Sequence, residues 1–462
     1  MNIFLLVFIF LYPTLTTAYV FFPWITRSAI LIQIILTVWI IYRFLTTLKY
    51  KSRKIYFSQL SKKIYLLIIV FLLLNIVSLI RGYFSNFINA NALVFYVTML
   101  TFFYFFGLLA SVGSENEVVR KDTTFSVLCL GIAFYMILNL FILYILQIQS
   151  PFVVENRLGQ NQLGEGVIGA LLGLELKRTI FPLSASYGIT HLASIVGIVV
   201  VESSIRIIYR RNTPNLSFFN TLSNYISAIL CFFALLILDT RAALISVILV
   251  LAFFFVINLK KSHFKLNISY TPLIFIANYS FSFIFHFVSD FLQPLLQEYG
   301  MNRSSSTSSF TEREIIWDSV LTFFSAFDPE HIIGYGMWGQ YKSGLNAAYE
   351  SSVFSNYFDQ GVRFFSLHST IFQQMIDIGY LGLFIYLSLT LLSVISLVNL
   401  IKISRDKLDV NHTYAIPNLA CILYLAIVGN FDPVVTQERV FTTGIYFLLV
   451  MSSLGGIKPN AK

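Results

Sequence analysis

The residues best suited to chemistry are one histidine and a set of arginines. His368 directly precedes an apolar run, with Gln373, Gln374 and Asp377 on its first turns. A helix N-terminus carries partial positive charge, which disfavours imidazolium and keeps such a ring neutral. A neutral histidine at a water–lipid boundary suits a general base acting on a sugar hydroxyl. The plainer alternative is a histidine that hydrogen-bonds at a helix cap. Asp377 falls about two to three turns deeper, in the apolar zone. There an ionisable side chain is either functional or the structural partner of a neighbouring helix.

The arginines are Arg157, Arg178, Arg241, Arg313 and Arg363. Guanidinium forks converging on a phosphate would explain them, because bidentate geometry favours Arg over Lys. A solvated or snorkelling cation is the alternative for each, above all for Arg157 and Arg363. Arg241 is different, since it opens an apolar run immediately after another one ends and has almost no room outside a bilayer. It either pairs with Asp239 beside it or serves a ligand.

These residues need elements to hold them, and composition decides which. The chain has 462 residues, 57 % hydrophobic and only 11 % charged, with a mean hydropathy of +0.77. Soluble domains run nearer a quarter charged, so this chain cannot cover a water-facing surface. The same composition excludes disorder. Three cysteines (Cys129, Cys231, Cys421), all in apolar runs, exclude a disulfide scaffold. The reading is an all-α polytopic membrane protein, one transmembrane domain over residues 1–462.

A spanning helix needs about 20 mostly apolar residues. Twelve such runs occur: 3–22, 28–47, 64–80, 92–111, 125–148, 182–202, 221–238, 242–258, 268–288, 370–400, 413–431 and 440–455. The first lacks the leading basic residues of a signal peptide and reads as a span. With both termini inside, the cytoplasmic face gathers 20 of the 31 basic residues and is net +14, against −5 outside. Topology and anionic lipid account for this basic face, so nucleic acid is not an expected partner.

Most outer segments are minimal; the exceptions are 149–181 and 289–369. The second holds a Ser-rich stretch, 304–309. In Thr311-Glu312-Arg313-Glu314 it has the pattern of a capping box. Ile316, Val320, Phe323 and Phe324 follow at helical spacing up to Asp328-Pro329, which predicts a short amphipathic helix lying on the membrane surface. The glycines of Gly334-Tyr335-Gly336-Met337-Trp338-Gly339 suit tight turns; a phosphate cradle is the weaker reading, since no Lys-Ser/Thr follows. Only Lys177 and Lys342 are lysines among the 11 outer basic residues, a bias towards arginine that fits phosphate recognition. HExxH, paired CxxC, Walker and GxSxG motifs are absent, and no histidine cluster has metal-ligand spacing. Neither metal nor cofactor is expected.

Taken together, these segments resemble the O-antigen ligase/polymerase superfamily, the membrane enzymes of bacterial surface polysaccharide assembly. Four of them carry the likeness in order: Lys177-Arg178-Thr179-Ile180-Phe181; Asp239-Thr240-Arg241-Ala242-Ala243; Arg313-Glu314-Ile315-Ile316-Trp317 leading to Ile333-Gly334-Tyr335-Gly336; and His368 with Gln373 to Leu383. They cover about residues 175–385, while the first five spans match in layout alone. Ser369 stands where the family usually has Asn after the histidine.

The resemblance implies a metal-independent, inverting glycosyl transfer at the periplasmic face of the inner membrane. The donor would be an undecaprenyl-pyrophosphate-linked oligosaccharide. Arg178, Arg241 and Arg313 would hold its pyrophosphate, with Arg157 and Arg363 as weaker candidates. His368 would deprotonate the attacking hydroxyl, and Asp377 and Asp239 would support. Membrane lipid is the expected surrounding, and a chain-length regulator an optional partner. A polymerase of lipid-linked repeat units is favoured over a ligase to lipid A-core, because a ligase would prefer a more basic outer face than −5. A flippase is the rival from another class, though no related halves are visible. A non-catalytic scaffold would leave His368 and the arginines unexplained.

Overall fold

The computed structural model describes residues 3–17, 23–50, 59–112, 117–148, 162–165, 177–184, 188–209, 218–259, 276, 280, 309–350, 366–406 and 414–454. Eleven of the twelve apolar runs are helices in it. They are α1 (Ile3–Thr17), α2 (Pro23–Tyr50), α3 (Gln59–Phe84), α4 (Ala90–Val112), α5 (Glu117–Tyr144), α6 (Gly188–Ile208), α7 (Phe218–Leu238) and α8 (Arg241–Leu259). After the short helices α9 (Ser309–Ser325) and α10 (Glu330–Ile333) come α11 (Thr370–Asp406), α12 (Ala415–Val428) and α13 (Val440–Ser452). The remaining run, 268–288, lies outside the described residues apart from two positions.

Helices prevail because lipid offers backbone groups no hydrogen-bond partner, so each segment must satisfy its own. Seven of them, α3–α8 and α11, are long and apolar enough to cross a membrane. At 14 residues α12 reaches only about 21 Å. It runs on into a buried connection, residues 429–439, that leads to α13. One departure from an all-helical chain is a two-stranded antiparallel pair between α5 and α6, β1 (Gln162–Glu165) with β2 (Lys177–Thr179).

Helix α6 is the central post. It is buried without a break from His191 to Ser203 and packs against α7, α8 and α12. By contrast α8 turns Ile245, Ile248, Leu249, Phe253, Phe255 and Val256 outward, as a lipid-facing helix does. The early helices join the late ones through aromatic contacts. Tyr12 meets Phe102, Phe103 and Phe441, and Phe71 meets Tyr386, Tyr446 and Phe447.

Hydrogen bonds fix which helix ends lie together. The Tyr209 hydroxyl donates to the Phe254 carbonyl (3.2 Å) and the Asn258 amide to the Ile208 carbonyl (3.5 Å), so α6 and α8 end side by side. Their starts, Gly188 and Arg241, therefore share the opposite end. The start of α11 joins them there, because the Thr370 amide donates to the carbonyl of Gly429 just past α12 (2.7 Å). The Glu202–Arg206 ion pair closes α6 at the far end.

Candidate functional site

The site end is organised around the first turns of α11, which are stitched on two sides. On one side the Thr370 hydroxyl accepts from the Val434 amide (2.9 Å) and donates to the Asp432 carbonyl (3.2 Å), while Gln374 donates to the Val435 carbonyl. On the other, Gln373 accepts from the Leu367 amide (3.0 Å) and donates to Gln340 and to both oxygens of Asp377 (3.1 Å each). Asp377 also accepts from the Gly339 amide (3.0 Å). These contacts hold the Asp377 carboxylate between Gln373 and the glycine turn.

A break in α11 explains the glycine turn. Gly379 has φ 72°, ψ −175°, which interrupts the helix and frees carbonyls that a continuous helix would consume. The Tyr335 and Gly336 amides take up the Ile376 and Asp377 carbonyls (2.8 and 2.9 Å). Gly334 (φ 73°) backs onto Gly379 so closely that a Cβ on it would lie 2.4 Å from the Gly379 nitrogen. The Met337 amide donates to the Ser78 carbonyl of α3 (3.0 Å), and Arg81 donates to the Gly334 carbonyl. The phosphate-cradle reading of this turn fails, because its amides are spent on α11 and α3.

Helix α9 carries Arg313. It begins at Ser309, so Thr311 falls inside the first turn and is not its cap. Its apolar face lies on protein: Ile316, Trp317 and Val320 are buried. The Trp317 indole donates to the Leu367 carbonyl (2.9 Å) and its ring meets Phe372 at 5.8 Å. This places Arg313 beside His368, one residue beyond Leu367 in the chain. Phe323 and Phe324, with Tyr335 and Tyr380, surround the buried His331 ring.

His368 lies two residues before α11 and has left-handed backbone (φ 53°), a conformation held at a cost for a non-glycine residue. Burial pushes the imidazole down to about 3, and the charges of Arg313 and then Arg439 push in the same direction. The ring is therefore neutral, as the sequence predicts. The causes are burial and two guanidiniums, where the sequence reading invoked the helix N-terminus.

Asp432 completes the group. Burial raises its carboxyl, while Arg439, Arg313 and a hydrogen bond from the Thr190 side chain lower it. Glu438 is raised to about 7 by burial, against the lowering charge of Arg439; Asp432 adds a smaller raising effect. Arg439 also lies at the start of α6, where a Cβ on Gly188 would come within 3.9 Å of its guanidinium. On that first turn His191 is buried, with Nε2 3.1 Å from the Thr442 hydroxyl.

Arg313 is thus the one expected arginine whose charge reaches His368 among the described contacts. Arg178 sits half-buried on β2, which packs against α7. Arg241 opens α8 after the buried, left-handed Asp239 (φ 47°). Both stand on the α6–α8 side of the same end. Arg157 and Arg363 lie outside the described residues. Thr190, Asp432, Glu438 and Arg439 were not anticipated. The available signal was a short connection between two apolar runs carrying three charges within eight residues.

Residues 226–387 match the model of the O-antigen ligase family. The match supports the resemblance of that stretch to the O-antigen ligase/polymerase superfamily. The family segment runs from α7 into α11 and includes Asp239, Arg241, Arg313, His368 and Asp377, whereas Arg178 and the 429–439 connection lie outside it. A search among curated proteins finds no match.

Proposed function

We propose that this protein is a surface-polysaccharide polymerase of the bacterial inner membrane, joining undecaprenyl-pyrophosphate-linked repeat units at the periplasmic face, with both termini in the cytoplasm. The observation that carries this reading is a neutral His368 set between Arg313 and Arg439, with Arg313 and His368 inside the O-antigen ligase family segment. In the reaction a sugar hydroxyl of the acceptor attacks the anomeric carbon of the donor and its proton passes to the imidazole. The bond from that carbon to the pyrophosphate oxygen breaks, with inversion, and the pyrophosphate leaves with the lipid. Guanidiniums aimed at the leaving group stabilise its charge, so this step asks for no metal. Arg313 and Arg439 are the arginines whose charges act on the base, and Arg178 and Arg241 join from the α6–α8 side.

The low basicity of His368 fits this scheme. A pyrophosphate held by Arg313 and Arg439 cancels the charges that depress His368, leaving only burial to oppose protonation. The ring becomes a better base when the donor is bound, which ties proton removal to the presence of a leaving group.

A ligase that moves the glycan to lipid A-core uses the same donor chemistry. The family match is common to both, and the net −5 of the outer face favours the polymerase. Purified protein given one lipid-linked repeat unit separates them. A ladder of longer lipid-linked glycans supports the polymerase, and transfer only after addition of lipid A-core supports the ligase. No transfer under either condition contradicts both and favours a flippase.

A further inference from the structure

The 429–439 connection is fastened at almost every point. The Gln437 amide donates to the Asn75 carbonyl oxygen of α3 (2.9 Å), the Thr443 hydroxyl donates to the Thr436 carbonyl (2.8 Å), and the Thr442 hydroxyl donates to the Arg439 carbonyl (3.0 Å). Glu438 sits between these clamps on a single 3-10 turn, Gln437–Arg439. Yet both of its carboxylate oxygens are enclosed with no hydrogen-bond partner among the described residues, and so is Oδ2 of Asp432, a residue only 4 % exposed. Enclosed carboxylate oxygens normally find donors, since leaving them bare costs the full desolvation of the group. Arg439 offsets the charge without filling those positions.

The neighbours restrict what can. A cation is repelled by Arg439 and Arg313, and a phosphate is repelled by the two carboxylates. A neutral polyol suits both, because its hydroxyls donate to carboxylates and accept from guanidiniums. We propose that Glu438, with Asp432 beside it, forms a subsite for the hydroxyls of the acceptor sugar, next to but separate from the pyrophosphate site. This rests on the glycan-transfer reading for the acceptor's role, while the subsite itself requires only that a sugar binds. Arg439 is the common neighbour of Glu438 and His368, so a sugar held there lies within the group that contains the base.

The test uses full-length protein and two probes that divide the ligand. One is the repeat-unit oligosaccharide released from the cell's own surface polysaccharide, free of lipid and phosphate. The other is undecaprenyl pyrophosphate without sugar. Glu438→Gln should weaken oligosaccharide binding about tenfold, the effect of one hydrogen bond to a charged group. It should leave undecaprenyl pyrophosphate binding undiminished, which also reports that the variant is folded. Unchanged oligosaccharide binding, or parallel loss of both probes, overturns the subsite. Wild-type protein that binds the oligosaccharide but not undecaprenyl pyrophosphate would sink the transfer reading and leave the subsite standing. The reverse pattern would overturn the subsite alone.

Discussion

Two connecting segments flank the start of α11, and they treat their polar groups in opposite ways. In the glycine turn, residues 334–339, amide after amide is spent: on α11 carbonyls, on Ser78 and on the Asp377 side chain. In the 429–439 connection many backbone groups are fastened too, but the enclosed carboxylate oxygens of Glu438 and Oδ2 of Asp432 have no hydrogen-bond partner among the described residues, beside Arg439. The first segment spends its amides on the scaffold, whereas the second leaves carboxylate oxygens to the sugar proposed above.

Substitutions can break that contrast, and the largest effect belongs to the base. His368→Ala should lower glycan transfer by about 10²–10⁴-fold while donor binding stays within about twofold. Next comes the turn. Gly334→Ala places a Cβ 2.4 Å from the Gly379 nitrogen at φ 73°, where no side-chain movement relieves the clash. The expected loss is about 3 kcal/mol of stability, read as a lower melting temperature in detergent. Arg439→Ala should weaken undecaprenyl pyrophosphate about tenfold or more with little change in melting temperature. Loss of folding instead would move Arg439 from site to scaffold.

Acidity sharpens the contrast further. In the free protein His368, held down to about 3, is neutral from pH 5 to 8, so donor capture shows no acid limb near its ordinary value of 6.5. Glu438, held up to about 7, faces Arg439 and Asp432, with Tyr349 and Asp377 within charge range. It is ionised above that value and protonated below it. Oligosaccharide binding should therefore weaken as pH falls through about 7, and Glu438→Gln should abolish that limb. The smallest effect is at the start of α9. Thr311 lies within the first turn, so Thr311→Ala should change stability by less than about 0.5 kcal/mol, where a true capping residue costs about 1.

Hydrophobic run length made the helices legible, since α3–α8 and α11 each follow from about 20 apolar residues in a row. His368 and Arg313 were legible because residues of those types stand at the edge of spans, where ordinary solvation explains them poorly. What stayed hidden depends on pairings that no single segment contains. Nothing local says that Gly379 will break α11, because the break is supported by amides from residues 335 and 336, about 40 positions earlier. Likewise Asp432 joins the site only because Thr370 and Thr190, on two other helices, fasten it there. The 429–439 connection is too short for its length to mark it as more than a link between two apolar runs, although it carries Asp432, Glu438 and Arg439.

The most direct test of the central claim is a reconstituted transfer assay on wild-type protein and His368→Ala, with an undecaprenyl-pyrophosphate-linked repeat unit as donor and gel separation of the products. The account predicts extended or transferred glycan from the wild type and none from the variant, which still binds donor. A variant that transfers at the wild-type rate would contradict it, because the proton would then leave by a group other than His368.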